Sequence, residues 1–577
     1  MTIKAKSTTR VRRDHPNRGE RRNLYMTIGF GGAIAISVLI LLVAVLASWY
    51  GDHMAPMIGV NGTTVSKDFY RDAVKANGWL LDQQEAYVRE RVTAGLLTAT
   101  EGDQRISSLQ QARQGIEDTT VSSIEDGLLQ TQLAAEKGIT IGAQQIDDIL
   151  TTRATTPAAR EVWTVTSQSE LSQGATAPTQ AQRDAAKAKA EAWLADLKAG
   201  KSWDEIAKAA GLTGDKPGRG GYIFEGEQGG LPQAALDAVW ALPAAGYSDV
   251  IETGEGQYTI VRVTNIRPSS VDTAFLEKAR SNGVNVDVVR TQAGYQAAQD
   301  QLKAAVLDPS MNQPSAQRDV SEIVLDSGAE GDGDAVTASH VLFSPGNDPQ
   351  AAQQLDAADP AWDAAKAEAQ AAYDAIRAGT TTFDAEAAKS DDASTAVDGG
   401  RLPWLYEGQL DPGFGQPLFD PNNKVGDLLP PVKSAYGWHV VRLDDRRPPA
   451  DQFIAQLAQQ AAAPGADFAA LARQYSMAKD AKDGGALGWV ARYQLASALE
   501  KVIFEAPVGG LANTVQDTGR FYLYKVNKEE QRLPDAAQKT SIETNGFDTW
   551  YTPLKTAAKI EELATPAAVL GTATPKP

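Results

Sequence analysis

The chain has 577 residues and a formal net charge of −18, a length that allows about four domains of ordinary size. It contains no cysteine, which excludes disulfides, thiolate metal sites, a cysteine nucleophile and a lipidated N-terminal cysteine. An acidic body repels phosphate backbones, so nucleic acid is not an expected partner, and the 42% hydrophobic content excludes global disorder.

Residues 1–25 hold eight basic and two acidic residues and read as a cytoplasmic basic arm. From Met26 to Tyr50 no residue is charged. As a helix this run extends about 37 Å, enough to cross a hydrocarbon core of about 30 Å. The arm precedes it directly, so the positive-inside rule puts the N-terminus in the cytoplasm and residues 51–577 outside. A cleavable signal peptide, processed near Val45-Leu46-Ala47, is the alternative. The apolar run exceeds the usual signal core of about 7–15 residues, which favours an uncleaved, single-pass anchor in the cytoplasmic membrane.

Residues 51–160 are expected to form a helical domain. Ile58 to Ser66 reads as a strand and a tight Asn61-Gly62 turn, with Ser66 capping a helix from Lys67. A helix from Val121 to Lys137 should stop at Gly138, and Ala143–Arg153 should form another. Internal repeats follow. Trp193 to Ala207, Tyr373 to Ala388 and Ala463 to Ala472 each read as a helix end, a glycine turn and an aromatic residue opening a second helix. Paired glycines come next: Gly220-Gly221, Gly399-Gly400 and Gly484-Gly485. Each unit closes on an alternating strand, at Tyr258–Val263, Trp438–Leu443 and Phe521–Val526. The pattern predicts an α+β fold, a small antiparallel sheet with helices, repeated over 161–270, 335–448 and 449–530. The third repeat lacks an obvious opening strand and is expected to be incomplete. Residues 271–334 read as a linker, 531–561 as a C-terminal helix and 562–577 as a disordered tail.

Of four histidines, His15 lies in the arm and His53 abuts the membrane. His340 and His439 both fall in the middle repeat, on an opening and a closing strand that can be neighbours. They are either two satisfied core histidines or part of a site. Two histidines without a third ligand do not make a metal centre, so no metal or cofactor is expected and a metal-dependent hydrolase lacks its ligands.

Ala338-Ser339-His340-Val341-Leu342, Ser390-Asp391-Asp392 with Gly399-Gly400-Arg401-Leu402, the run Gly408 to Phe414, and Pro430 to Val441 resemble, in order, the motifs of parvulin-type peptidyl-prolyl isomerases. The arrangement around them resembles the extracytoplasmic SurA, PrsA and PpiD-type foldases. That resemblance implies paired site histidines at His340 and His439, with Asp392 beside the substrate amide. Leu402, Leu410, Phe414 and Tyr436 would form the proline-binding wall, although plain core packing is the commoner role of apolar residues. It also implies that a C-terminal helix from Phe547 to Ile560 returns to the N-terminal helices. Two departures stand out: Pro403 follows Leu402 in place of glycine, and Arg401 replaces an acidic residue. The first and third repeats have no histidine; Thr259 and Tyr522 fall near the place of His439, and Ala478 near that of Asp392. They are expected to be degenerate. The expected function is prolyl isomerisation and chaperoning of unfolded exported chains. A scaffold whose parvulin-like units only bind clients is the alternative.

Overall fold

The computed structural model describes residues 18–171, 177–227, 229–326, 334–406, 408 and 410–571. Most of the basic arm, the Gly/Asp-rich loop at 327–333, Gln409 of the third motif and the last residues of the tail lie outside the described residues. The chain divides into two compact units, 1–302 with 558–577, and 303–557.

The first unit opens on the helix Arg18–His53, longer at both ends than the uncharged run. Its stretch Tyr25–His53 has a mean hydropathy of 2.8 and is long and apolar enough to span a membrane or to serve as a signal sequence. Its last turn leaves carbonyls without helical partners. Lys67 Nζ donates to Gly51 O at 2.7 Å, and Arg71 Nη1 to Asp52 O at 2.7 Å. Two cations therefore cap the C-terminal, negative end of the helix.

Pro56–Val60 pairs with Thr63–Ser66 through a turn with positive φ at Asn61 and Gly62. Ser66 Oγ then accepts from Phe69 N and starts the helix Lys67–Thr93. Ile560–Glu562 joins the other edge of this hairpin, with Ile58 opposite Glu562. The following helix, Pro566–Leu570, buries Val569, whose carbonyl accepts from Arg71 Nε. Residues 562–571 are thus structured, contrary to the expected disordered tail, because one apolar side chain and one strand edge anchor them. The expected linker is also corrected. Within 271–302, Phe275, Val289 and Ala293 pack with Trp79 and Leu150 into one core, so this stretch completes the N-terminal helical domain.

The first repeat forms a five-stranded sheet around Ala159–Gln168 and Gln257–Arg267. The middle repeat forms the order Leu405–Tyr406, Ala335–Phe343, Trp438–Arg447, Leu428–Lys433. The third is complete, contrary to the expectation that it lacks an opening strand. Its opening strand is Ser315–Asp326, paired along its whole length with Arg520–Arg532 and also with Ala486–Val490. Its buried residues Val320, Ile323 and Leu325 lie upstream of the middle repeat, whereas a linear reading seeks them just before residue 449. The middle domain is therefore inserted between the first strand of the third domain and its first helix, Ala450–Ala462. The expected return of the C-terminal helix to the N-terminal helices is corrected: Ala536–Ala557 belongs to the second unit, where Gln538 Nε2 donates to Trp489 O and Thr549 Oγ1 to Leu495 O, and only the residues from 558 on join the first unit.

The two crossings of the insertion meet: Arg447 Nη2 lies 3.3 Å from Asp326 O. A chain joining 303–326 to 448–557 by a short Gly/Ser linker, with 327–447 removed, should fold cooperatively. Residues 449–530 alone lack the strand that covers their sheet and should not. Circular dichroism and thermal unfolding of the two fragments test this; a folded 449–530 would sink the insertion topology.

Candidate active site

Side chains alternate across a strand. In the middle sheet, Val341 and Val440 face the helices Ala361–Arg377 and Phe383–Ala387. Val336, Ala338, Val441 and Leu443 face the helix Pro412–Phe419. His340 continues the row of Val336 and Ala338, and His439 the row of Val441 and Leu443. The register sets His340 opposite Val441 and His439 opposite Leu342. The two imidazoles are thus diagonal neighbours on the face that Phe414 covers.

They stack with ring centroids 5.2 Å apart. His340 Nδ1 and His439 Nδ1 are 2.9 Å apart. His340 Nε2 lies 3.0 Å from Asp392 Oδ2 and 3.1 Å from Thr395 Oγ1, and His439 Nε2 lies 2.8 Å from Ser434 Oγ. These distances fix the protons. The Asp392 carboxylate only accepts, so His340 carries its proton on Nε2. Its Nδ1 then accepts from His439 Nδ1–H, and His439 Nε2 accepts from the Ser434 hydroxyl. Both rings are neutral and every ring nitrogen is used. Burial lowers the pKa of His439 to about 3, with the neighbouring His340 adding to the effect. Burial also lowers that of His340, against the attraction of Asp392. Burial raises the Asp392 carboxyl, but hydrogen bonds from Ser394 and Thr395 and the adjacent His340 outweigh it, and the net shift is downward.

The backbone locks this geometry. His340 N donates to Gly400 O at 2.7 Å. Gly400 has φ +75, and a Cβ there would lie 2.1 Å from His340 O, so the paired-glycine turn admits no side chain at this position. Asp411 Oδ1 accepts from Gly413 N and starts the helix that carries Phe414. The Phe414 ring stands edge-on to His439 at 4.8 Å. Leu402, Leu410 and Val432 are half-buried around it. The Tyr436 ring is exposed, while its backbone N–H donates to Ser434 Oγ. Arg401 and Pro403 leave the local pairing intact, since Leu402 N still donates to Ala338 O at 2.8 Å.

Sequence reasoning missed Thr395 and Ser434, which stand at the two ends of the hydrogen-bonded series, and it gave no role to Ser390 of the second motif, whose Oγ accepts from Leu342 N. Their only sequence signal is proximity: Thr395 follows Asp392 by one helical turn, and Ser434 precedes His439 in a tight turn. The other two domains make the same strand-to-glycine bond, from Thr164 N to Gly218 O and from Glu322 N to Gly485 O. Thr164 and Glu322 therefore hold the place of His340, while Thr259 and Tyr522 hold the register of His439. Thr259 Oγ1 bonds Thr166 and Thr253. Burial and the nearby Asp480 push Glu322 up to about 7.

The PPIC-type PPIASE domain family matches residues 340–445, 444–528 and 164–281, segments that together cover more than half of the chain. The chain belongs to the PPIC-type parvulin family. The second match starts after Ser315–Asp326, as expected for a parvulin domain interrupted by another. Over 76 residues the chain is 41% identical to the chaperone SurA of Alcanivorax borkumensis, covering 13% of this chain and 17% of that protein. Over 326 residues it is 26% identical to the chaperone SurA of Chromohalobacter salexigens, covering 50% and 71%. Among solved structures, the peptidylprolyl isomerase PrsA from Bacillus anthracis is 19% identical over 33% of this chain and 74% of that one, with a TM-score of 0.16. The matches to SurA of Alcanivorax borkumensis, Saccharophagus degradans and Methylobacillus flagellatus span 17%, 45% and 52% of those proteins.

The neutral imidazoles of the middle parvulin domain give it an acid-sensitive stability. In the unfolded chain a histidine protonates below about pH 6.5, whereas His439 resists protonation down to about pH 3. A lowered folded pKa gives a contribution that is complete above about 6.5 and lost as pH falls from there toward 3. The His439 imidazole should cost about 1.4 kcal/mol of stability per pH unit in that window. Urea unfolding of residues 334–448 between pH 7 and 4.5 measures it. The slope should flatten in His439→Asn, and equal slopes in the two proteins would contradict the assignment.

Proposed function

We propose that the middle parvulin domain is a peptidyl-prolyl cis-trans isomerase within a membrane-anchored foldase that acts on exported chains. The observation that carries this reading is the unbroken series Ser434–His439–His340–Asp392 beside the Phe414 ring. Prolyl isomerisation breaks no bond; it rotates an amide against a barrier of about 18–20 kcal/mol. A site lowers that barrier by binding the twisted amide better than either planar form, at about 1.4 kcal/mol per tenfold in rate. Phe414, Leu402 and Leu410 supply an apolar wall for the proline ring. Asp392 and the imidazoles set the electrostatics around the amide, and Tyr436 borders the opening. No nucleophile, metal or cofactor is required.

The first and third parvulin domains lack the imidazole pair, and in this reading they bind client segments without turning them over. Unfolded exported polypeptides are the clients, consistent with relatives named as chaperones. The helix Arg18–His53 anchors the chain once in the cytoplasmic membrane, with the basic residues inside and residues 51–577 outside. Protease added to spheroplasts should then degrade the bulk of the chain and spare the arm; a soluble mature form beginning near Ser48 would instead establish a cleaved signal.

Isomerisation of a prolyl peptide by the full chain in detergent tests the catalytic assignment. His340→Ala and His439→Ala should each slow it at least tenfold, with client binding nearly unchanged and thermal unfolding checked in parallel. Phe414→Ala should also slow it, and its lost packing should cost about 3–5 kcal/mol of domain stability. Thr259→Ala and Tyr522→Phe should leave the rate alone. A folded wild-type chain without isomerisation above background would leave a purely binding chaperone.

A further inference from the structure

Only Met54 and Ala55 separate the helix Arg18–His53 from the strand Pro56–Val60. The three residue steps from His53 to Pro56 reach at most about 11 Å, so the helical domain sits directly at the helix end. The junction is also fastened. Met54 N and Ala55 N both donate to Tyr50 O, at 2.9 and 2.8 Å. His53 Nδ1 lies 2.9 Å from Asp68 Oδ2, and the Trp49 and His53 rings stack with centroids 5.4 Å apart. Together with the caps from Lys67 and Arg71, these contacts join the helix rigidly to the next one, Lys67–Thr93.

Residues 563–570 are brought to the same place. Arg71 holds two carbonyls with one guanidinium: Nη1 donates to Asp52 O at 2.7 Å and Nε to Val569 O at 3.0 Å. The fork is rigid, so the two carbonyls lie within about 8 Å of each other. Leu563 N donates to Met57 O at 2.8 Å. The helix end is therefore bordered by Met54 and by the segment 563–570. Met57 and Val569 turn inward and are buried, but Met54 is 48% and Leu563 51% exposed. A helix that crosses a membrane ends in an interfacial layer about 5–8 Å deep, and Trp49 and Tyr50 are of the residue types that settle there. Met54 follows that turn directly, and Leu563 is one hydrogen bond from Met57.

We propose that Met54 and the segment 563–570 form a second membrane contact, in which apolar side chains enter the lipid interface around the exit of the helix. This rests on the reading of Arg18–His53 as the membrane anchor. The partner is the interfacial layer itself, entered by apolar groups, and not the charge of anionic headgroups. The cations of this rim are engaged: Lys67 and Arg71 with the helix carbonyls, and Lys559 Nζ with Glu561 at 3.0 Å. Asp52 and Glu562 are exposed beside them and disfavour an anionic surface. A helix end and a contact beside it together fix the tilt of the helical domain on the bilayer, which a single flexible tether does not.

The chain has no cysteine, so Met54→Cys and Leu563→Cys, each labelled with an NBD fluorophore, report on one site apiece. The labelled full chain is reconstituted in phosphatidylcholine vesicles, with Leu39→Cys as the membrane-core reference. Lipids bearing a nitroxide near the headgroup end of the acyl chain should quench both rim labels. Iodide, present on both sides of the bilayer, should quench them at least about twofold less than it quenches NBD-cysteine in solution. Both results should be unchanged by added phosphatidylglycerol and by salt, and prolyl isomerisation should be unaffected by either label. Rim labels open to iodide and untouched by the lipid nitroxide, with the Leu39 label still quenched, would overturn the contact and leave the anchor standing. Quenching that appears only with anionic lipid would overturn the apolar mode. A Leu39 label outside the lipid, or release of the chain by alkaline carbonate, would instead remove the anchor and the contact together.

Discussion

Two imidazoles are buried against apolar side chains, and neither can afford a charge. A lone cation at His439 would have to be desolvated beside Phe414 and Val441, at a cost of several kcal/mol. The sheet avoids this by making one directed series of hydrogen bonds. It begins at the Ser434 hydroxyl and ends at a carboxylate that is itself held by Ser394 and Thr395. Each member has a single allowed proton position, so no part can be altered alone. The strand register, the side-chain-free turn at Gly400 and the turn that carries Ser434 are all needed to place the four groups. Such a fully satisfied network specifies one geometry for the two imidazoles and for the Phe414 ring packed on them. The other two domains preserve the sheet and the turn but fill the same places with Thr164 and Glu322, and the series is lost.

The insertion imposes a second constraint. Both crossings run past Arg447, which is 1% exposed. Its Nη2 donates to Tyr406 Oη at 2.8 Å, and its guanidinium lies 5.1 Å from the Trp404 ring and 5.8 Å from the Phe453 ring. Tyr406 Oη in turn donates to Asp326 O. Residues of the inserted domain and of its host thus share one aromatic cage around a buried cation. Burial lowers the Arg447 pKa, and the surrounding rings compensate through their negative faces.

Much of this was legible in the sequence because scarcity made it so. With only His340 and His439 in the repeats, their strand positions allowed them to be neighbours, and the resemblance of the motifs around them to parvulins implied a shared site. The alternation in Trp438–Leu443 marked the closing strand that carries His439. Thr395 and Ser434 were not legible, because hydroxyl residues are common in turns and their roles depend on tautomers that only the distances settle. The strand Ser315–Asp326 was missed because its pairing partner lies far downstream of an intervening domain. A strand's pattern shows which face is buried but not what buries it. The same limit applies to Phe275 and Val289, whose apolar spacing is visible but whose contact with Trp79 is not.

The interrupted third domain sets an order of events during synthesis. Ser315–Asp326 emerges first, and its partner Arg520–Arg532 follows roughly 190 residues later, which at about 5–20 residues per second is a delay of roughly 10–40 s. In that interval the middle domain has every strand of its own sheet and can complete itself. The waiting strand meanwhile carries Val320, Ile323 and Leu325 uncovered, with open edges on both sides. Such an edge is a template for pairing with another chain. The later strand Ile560–Glu562 closes the hairpin that follows the N-terminal helix. A chain cut short before residue 520 therefore lacks both the long partner of Ser315–Asp326 and the edge strand of the N-terminal hairpin, so one truncation leaves two sheets far apart in the sequence unfinished.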